Sequence, residues 1–358
     1  MEQVIDAFIC LLLNTENYIR KLPQARTNHE QLAEFLRIFR EKRLEPLHWR
    51  LQRINTQRYV LSMVGLTNVG KSTLAEALLE HPVAPRRNGP ATAIPVEYEY
   101  DCEPWRLQTI DERNLTVMEQ KFDSAQVLSK VLEKKVFTSQ SEDLSNGSNA
   151  KLIVKGPMRL LEGGLVFADT PGFGAAQTAD SSGTHENVLV EYLQKHVHEV
   201  MFCISATNAM VSPAEKKFFE SIEHLCATVV VTKWDAEDEQ NDHDKKQYEG
   251  KFSELFPMCR FQFVNAKRAI ENPNQQDSEA CVNSHAQDLQ ALFRTRRGKE
   301  ERQKLLVTDV ERACNDLGLL LRKPLQDANL PNVPWHKAAL ANFQQEAVRE
   351  DIKIPSFT

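Results

Sequence analysis

The stretch Gly65-Leu66-Thr67-Asn68-Val69-Gly70-Lys71-Ser72-Thr73 constrains this chain more than any other. It stands between the apolar run Tyr59 to Val64 and the segment Leu74 to Leu79, so it reads as strand, glycine-bearing turn and helix. The turn fits the phosphate-binding pattern G-x-x-x-x-G-K-[ST], in the context that pattern requires. Glycines at 65 and 70 let the backbone curl until successive N–H groups converge on an anion. A helix beginning near Lys71 adds the positive end of its dipole. Lys71 offers a point charge to the β- and γ-phosphates, and Ser72 a hydroxyl to Mg²⁺. Asn68, Val69, Gly70 and Thr73 complete the phosphate contacts. The chain is therefore expected to be an α/β protein with a mainly parallel, doubly wound sheet.

Four further signals follow in order. The loop Arg86 to Pro95 carries Thr92, whose hydroxyl can reach Mg²⁺ and whose N–H can reach a γ-phosphate, a contact that exists only with the triphosphate. The run Leu165-Val166-Phe167-Ala168 leads into Asp169-Thr170-Pro171-Gly172. An acid at a strand end can hold the metal's hydration shell, and Gly172 can donate its N–H to the γ-phosphate. Val229-Val230-Val231 ends in Thr232-Lys233-Trp234-Asp235. A carboxylate at 235 can accept from both N–H groups on the edge of guanine, a pair that adenine lacks, and the Lys233 stem can lie along the base. Phe261 to Val264 ends in Asn265-Ala266-Lys267, where the Ala266 N–H can meet the guanine oxygen. All five stand at the carboxyl ends of expected strands, where open α/β sheets bind ligands. The nucleotide expected is GTP or GDP.

Strands are expected at 58–64, 151–155, 164–168, 199–205, 227–231 and 261–264. A long polar region, 101–150, is expected to hold a helix over 121–136 and a Ser/Asn-rich loop from Ser139 to Asn149. These elements place the nucleotide domain at 58–296. Residues 1–57 and 297–358 read as helical segments that form a bundle. In the first, Pro23 interrupts a helix from Glu2, a capping box Thr27-x-x-Glu30 starts a second, and Pro46 breaks or kinks it. In the last, Leu306, Val310, Ala313, Leu317 and Leu320 recur at helical spacing, Pro324 ends or bends that helix, and another covers 334–350.

Composition excludes other classes. A net charge of -6 argues against general nucleic-acid binding. Seven cysteines, none in a C-x-x-C pair, suit a reducing cytoplasm better than a disulfide scaffold or structural zinc. Glu2 and Asp6 stand where a secretory signal would be basic, and the apolar run Phe8 to Leu13 is too short to span a bilayer.

Ras-type enzymes place a glutamine directly after the D-x-x-G glycine to orient the attacking water; here that residue is Phe173. One reading is an inert or slow switch. The other is catalysis by different groups: the Asn68 side chain can ligate a monovalent cation, K⁺ or Na⁺, beside the β- and γ-phosphates and neutralise developing charge. Lys71, Thr92 and Gly172 complete that catalytic set.

On these residues the sequence resembles the dynamin-like GTPases. Gly65 to Thr73 is similar to their phosphate loop and Gly89-Pro90-Ala91-Thr92-Ala93-Ile94-Pro95 to their first switch. Val154-Lys155-Gly156-Pro157 with Gly164 to Gly172 resembles their paired strands, and Thr232-Lys233-Trp234-Asp235 their base motif. The resemblance implies a G domain of the P-loop NTPase class flanked by a helical bundle, and a hydrolase that converts GTP to GDP and phosphate. It implies activation by pairing of G domains, as a homodimer or with a second dynamin-like subunit. It also implies a cytoplasmic protein that can sit at the periphery of a membrane. Two departures stand out. Asn68 replaces a frequent serine and is also similar to the Era-like GTPases of ribosome and RNA biology. Only residues 297–358 follow the G domain, where dynamins carry a stalk and a membrane-binding region. A nucleotide-gated adaptor with negligible turnover is the third alternative.

Overall fold

The computed structural model describes residues 1–21, 26–54, 56–84, 94–111, 115–138, 151–173, 182–207, 211–234, 241–252, 255–256, 259–266, 286–296, 298–327 and 332–354. The chain divides into two compact units, one of residues 1–56 with 299–358 and one of residues 57–298.

The α/β unit is built on a nine-stranded sheet: β1 Tyr59–Gly65, β2 Val96–Tyr100, β3 Trp105–Ile110, β4 Thr116–Phe122, β5 Lys151–Gly156, β6 Leu165–Asp169, β7 Glu199–Ser205, β8 Cys226–Thr232 and β9 Arg260–Val264. Their order is β4-β3-β5-β2-β6-β1-β7-β8-β9. Strand β1 runs parallel to β6 and β7, and β7, β8 and β9 continue parallel. Strands β2 and β5 are parallel to each other, but β2 is antiparallel to β6 and β3 is antiparallel to both its neighbours. The sheet is thus mainly parallel, with antiparallel pairing toward one edge. Every residue of β1, β6 and β7 is buried, as the continuous apolar runs require of strands covered on both faces.

The region 101–150 departs from expectation. It holds β3 and β4, and its helix, α5, spans Ala125–Thr138 rather than 121–136. β2 was also not expected. Val96-Glu97-Tyr98-Glu99-Tyr100 alternates apolar and acidic residues, and β4 is an edge strand bearing Glu119 and Lys121, so neither forms the apolar run that marks the buried strands. Helices α4 Lys71–Leu79, α6 Ser182–His196, α7 Pro213–Ile222, α8 Asn241–Phe252 and α9 Ala286–Arg294 complete the unit. Leu61, Met63, Leu74, Leu78, Tyr98, Phe167 and Phe293 lie in its core.

In the helical unit, α1 Glu2–Arg20, α2 Arg26–Phe39 and α3 Glu45–Arg53 share one core with α10 Lys299–Leu320, α11 Arg322–Asp327 and α12 Lys337–Arg349. Phe8 stacks on Phe343 at 4.5 Å. The α-helical winding of the second helix stops at Phe39, ahead of Pro46. The five residues Arg40–Leu44 wind as a π turn, and Pro46 sits in the first turn of α3, where the N–H it lacks would have no partner within the helix. Helix α2 spans Arg26–Phe39, so Thr27 is its second residue. Leu320 is exposed, and Leu321, beyond the helix end, is buried in its stead. None of the described helices is long and apolar enough to cross a membrane.

Candidate functional site

The phosphate loop connects β1 to α4 and lies between the ends of β6, β7 and β8. Gly65 is fixed by a close approach: a Cβ there would lie 2.3 Å from the Cys203 carbonyl oxygen of β7. Gly70 caps α4 with φ 100°, and Asn68 takes a left-handed φ of 64°, which asparagine tolerates better than most residues. Asn68 is exposed, Val69 is buried and Thr73 is half-buried. The Lys71 ammonium folds back over the loop and donates to the carbonyls of Gly65 at 2.9 Å and Leu66 at 2.8 Å. Burial pushes its pKa down, against the opposing pull of the Asp169 charge.

Asp169 ends β6 directly beside β1. Ser72 Oγ donates to its Oδ2 at 3.2 Å, whereas Oδ1 is buried with no partner. Burial raises the Asp169 carboxyl to about 6, with Lys71 and the Ser72 hydrogen bond pulling it back down. A hydroxyl facing a carboxylate with one orphaned oxygen is a hard-oxygen donor set that suits Mg²⁺, with phosphates and water supplying the remaining ligands. No cluster of three or more His, Cys, Asp or Glu side chains able to hold a metal occurs among the described residues. Thr170 Oγ1 donates to the Met63 carbonyl at 2.6 Å and locks the strand end. A Cβ on Gly172 would meet the Thr67 backbone nitrogen at 2.7 Å, so the turn after β6 passes flush against the phosphate loop. Next to it, Thr67 N–H donates to the Phe173 carbonyl at 3.3 Å.

Phe173 is buried, and its ring stacks on Phe218 of α7 with centroids 4.1 Å apart and planes 9° from parallel. It is a packing residue and cannot orient water.

On the base side, Thr232 Oγ1 lies within hydrogen-bond distance of the Val69 carbonyl and of the Ile204 carbonyl at 3.1 Å. Lys233 has φ 56°, and its ammonium donates to the Asn68 carbonyl at 2.7 Å, so its stem runs alongside the phosphate loop. Trp234 N–H donates to the Val264 carbonyl at 3.2 Å, which joins the ends of β8 and β9. Ala266, just beyond β9, is buried and Asn265 half-buried. Of the expected residues, Asn68, Val69, Gly70, Lys71, Ser72, Thr73, Asp169, Gly172, Thr232 and Lys233 gather around one loop. Thr92, Asp235 and Lys267 lie outside the described residues.

Sequence reasoning missed Tyr98. It is fully buried, its hydroxyl has no partner, and burial together with the Asp169 charge pushes its pKa well up. Also missed is Glu97, which is fully buried and accepts from Tyr192 of α6 at 2.8 Å, from Lys151 at 3.3 Å and from Arg58. Burial alone would raise its carboxyl; Arg58 and Lys151 hold it below the usual range. A glutamate in an alternating stretch gives no sign of burial from sequence.

Residues 61–234 match the model of the Dynamin family. Two solved chains of an oligomerised bacterial dynamin pair, which is described as providing a mechanism for the long-range sensing and tethering of membranes, align with this chain at 16% identity, with TM-scores of 0.46 and 0.48. The alignments cover 98% and 97% of this chain, which spans 60% and 50% of theirs. No curated protein matches the sequence. The matched segment, 61–234, holds the phosphate loop, the Asp169 strand end and Thr232-Lys233-Trp234, and in it the chain is similar to the Dynamin family.

Proposed function

We propose that this chain binds GTP with Mg²⁺ and hydrolyses it to GDP and phosphate, and that pairing of G domains activates it. The observation that carries the reading is the Ser72–Asp169 pair, with its orphaned carboxylate oxygen, beneath a phosphate loop closed by its own lysine. Nucleotide phosphates would draw the Lys71 ammonium off the Gly65 and Leu66 carbonyls. Ser72, Thr92 and Asp169 would hold the metal, which would supply positive charge against the negative charge that develops on the phosphates. Gly172 would offer its N–H to the γ-phosphate. Lys233 and Asp235 would select guanine, with Thr232, Asn265, Ala266 and Lys267 lining the base side.

Phe173 cannot orient water, so turnover needs another group. Asn68 would ligate K⁺ or Na⁺ where two G domains pair, a reading supported by its exposure in a left-handed turn. In this reading the G domain is 58–296, and hydrolysis moves the helices of 1–57 and 297–358. Phosphate release should be measured from GTP and from ATP, with and without K⁺ or Na⁺, across protein concentration. The expected result is GTP preference, cation stimulation and a rate per molecule that rises with concentration. ATP preference refutes guanine selection. A negligible rate independent of concentration favours the nucleotide-gated adaptor, for which the Phe173–Phe218 stack is the supporting observation.

A further inference from the structure

Cys226 opens β8, and Cys259 stands one residue ahead of β9. Thr228 faces Arg260 in the parallel pair, so the two cysteines lie at the same end of adjacent strands. Their sulfurs are 3.6 Å apart. Cys226 Sγ donates to the Thr228 carbonyl at 3.4 Å, and Cys259 Sγ also approaches the Cys226 carbonyl at 3.7 Å. A disulfide needs a separation of about 2.05 Å, and neighbouring strands hold Cα atoms within the span that such a bond bridges. The ladder is already irregular at this point: Val200 of β7 faces Cys226, and Met201 faces Thr228. Closure of the sulfurs can be absorbed there without disturbing the register beyond Thr228. Exposure is asymmetric, with Cys226 buried and Cys259 half-buried, so a dissolved oxidant meets Cys259 first.

We propose that Cys226 and Cys259 form a redox-responsive dithiol that closes into a disulfide and fastens the edge strand β9 to β8. The oxidant is a low-molecular-weight disulfide. The Cys259 thiolate attacks one of its sulfurs, forms a mixed disulfide and expels one thiolate. The Cys226 thiolate then attacks Cys259 Sγ and expels the second. The two cysteines lose two electrons, the small disulfide gains them, and the two thiol protons pass to the released thiolates. β9 leads directly into Asn265 and Ala266, so the bond ties down the strand that carries the last motif.

The test is exposure of the full folded chain to oxidised glutathione, alkylation of remaining thiols, and unreduced peptide mapping by mass spectrometry. The expected result is one peptide pair joining Cys226 to Cys259, reversed by dithiothreitol. It should be absent from Cys226→Ser and from Cys259→Ser, the latter a mild change at a half-buried position. Oxidation should raise the unfolding midpoint of the wild type by about 5 °C. Cys203 and Cys314, both buried, serve as internal controls that stay reduced. A stable glutathione adduct on Cys259 with Cys226 still reduced overturns the proposal, as do two unmodified thiols at these positions. A Cys226–Cys259 link with no rise in midpoint overturns the fastening.

Discussion

Ser72 donates its hydroxyl to one oxygen of Asp169, and the other oxygen of that carboxylate is buried with no partner. Replacing Ser72 by alanine removes one oxygen of that donor pair and leaves the carboxylate still less satisfied. Mg²⁺-dependent affinity for GTP should fall tenfold or more, about 1.4 kcal/mol, with a smaller change in metal-free binding. Titration calorimetry with Mg²⁺ and with chelator reads the two values. Equal losses in both conditions would place Ser72 on the phosphates and not on the metal.

The same carboxyl sets a pH dependence in protein free of metal and nucleotide. Its value rises from 3.8 to about 6 on folding, so between these limits the folded state holds more protons than the unfolded. Stability therefore falls as pH rises from about 4 to about 6, by up to ~3 kcal/mol from this group. Comparing urea unfolding of the wild type and of Asp169→Asn across that window isolates the contribution, which the asparagine variant should lack.

Phe173→Gln supplies the side chain that Ras-type enzymes use, but at a buried, packed position. The ring stacks on Phe218, and the substitution buries an amide in that aromatic cluster. The expected cost is about 2–4 kcal/mol in stability, with no gain in turnover. Thermal unfolding and phosphate release together check this; a faster, stable variant would contradict the packing role.

Glu199 and Arg296 form a buried two-pronged pair, with Nε to Oε2 at 2.8 Å and Nη2 to Oε1 at 2.7 Å, and Tyr59 adds a third donor at 3.2 Å. Removing one partner strands a charge inside the α/β unit. Arg296→Met should cost about 3–5 kcal/mol, and the double variant Glu199→Gln, Arg296→Met should cost less than the sum of the two single changes. Chemical denaturation of the four proteins gives the coupling.

The buried central strands could be read in the sequence because each is a continuous apolar run that ends in distinctive chemistry: Gly65, Asp169, Thr232. The added strands could not. Glu97 looks like a surface residue until Arg58, Lys151 and Tyr192 are brought to it by strands and a helix distant in sequence. The Lys71 and Lys233 ammonium groups fold back onto phosphate-loop carbonyls, a local arrangement that no spacing rule reveals. Pro46 marks a break or kink because proline removes a donor, but only the structure shows its form, a π turn between α2 and α3. Phe173 marks an absent glutamine in sequence, but only its stack on Phe218 shows what it does instead.

The stacking of Phe8 on Phe343 has a consequence for synthesis. The first three helices are made before the α/β unit, and the residues of α10 to α12 that share their core are made after it. At about 5–20 residues per second, the first helices wait on the order of tens of seconds for those residues. The whole α/β unit is made in that interval and can fold first, so the nascent helices are the stretch that holding chaperones have most time to engage.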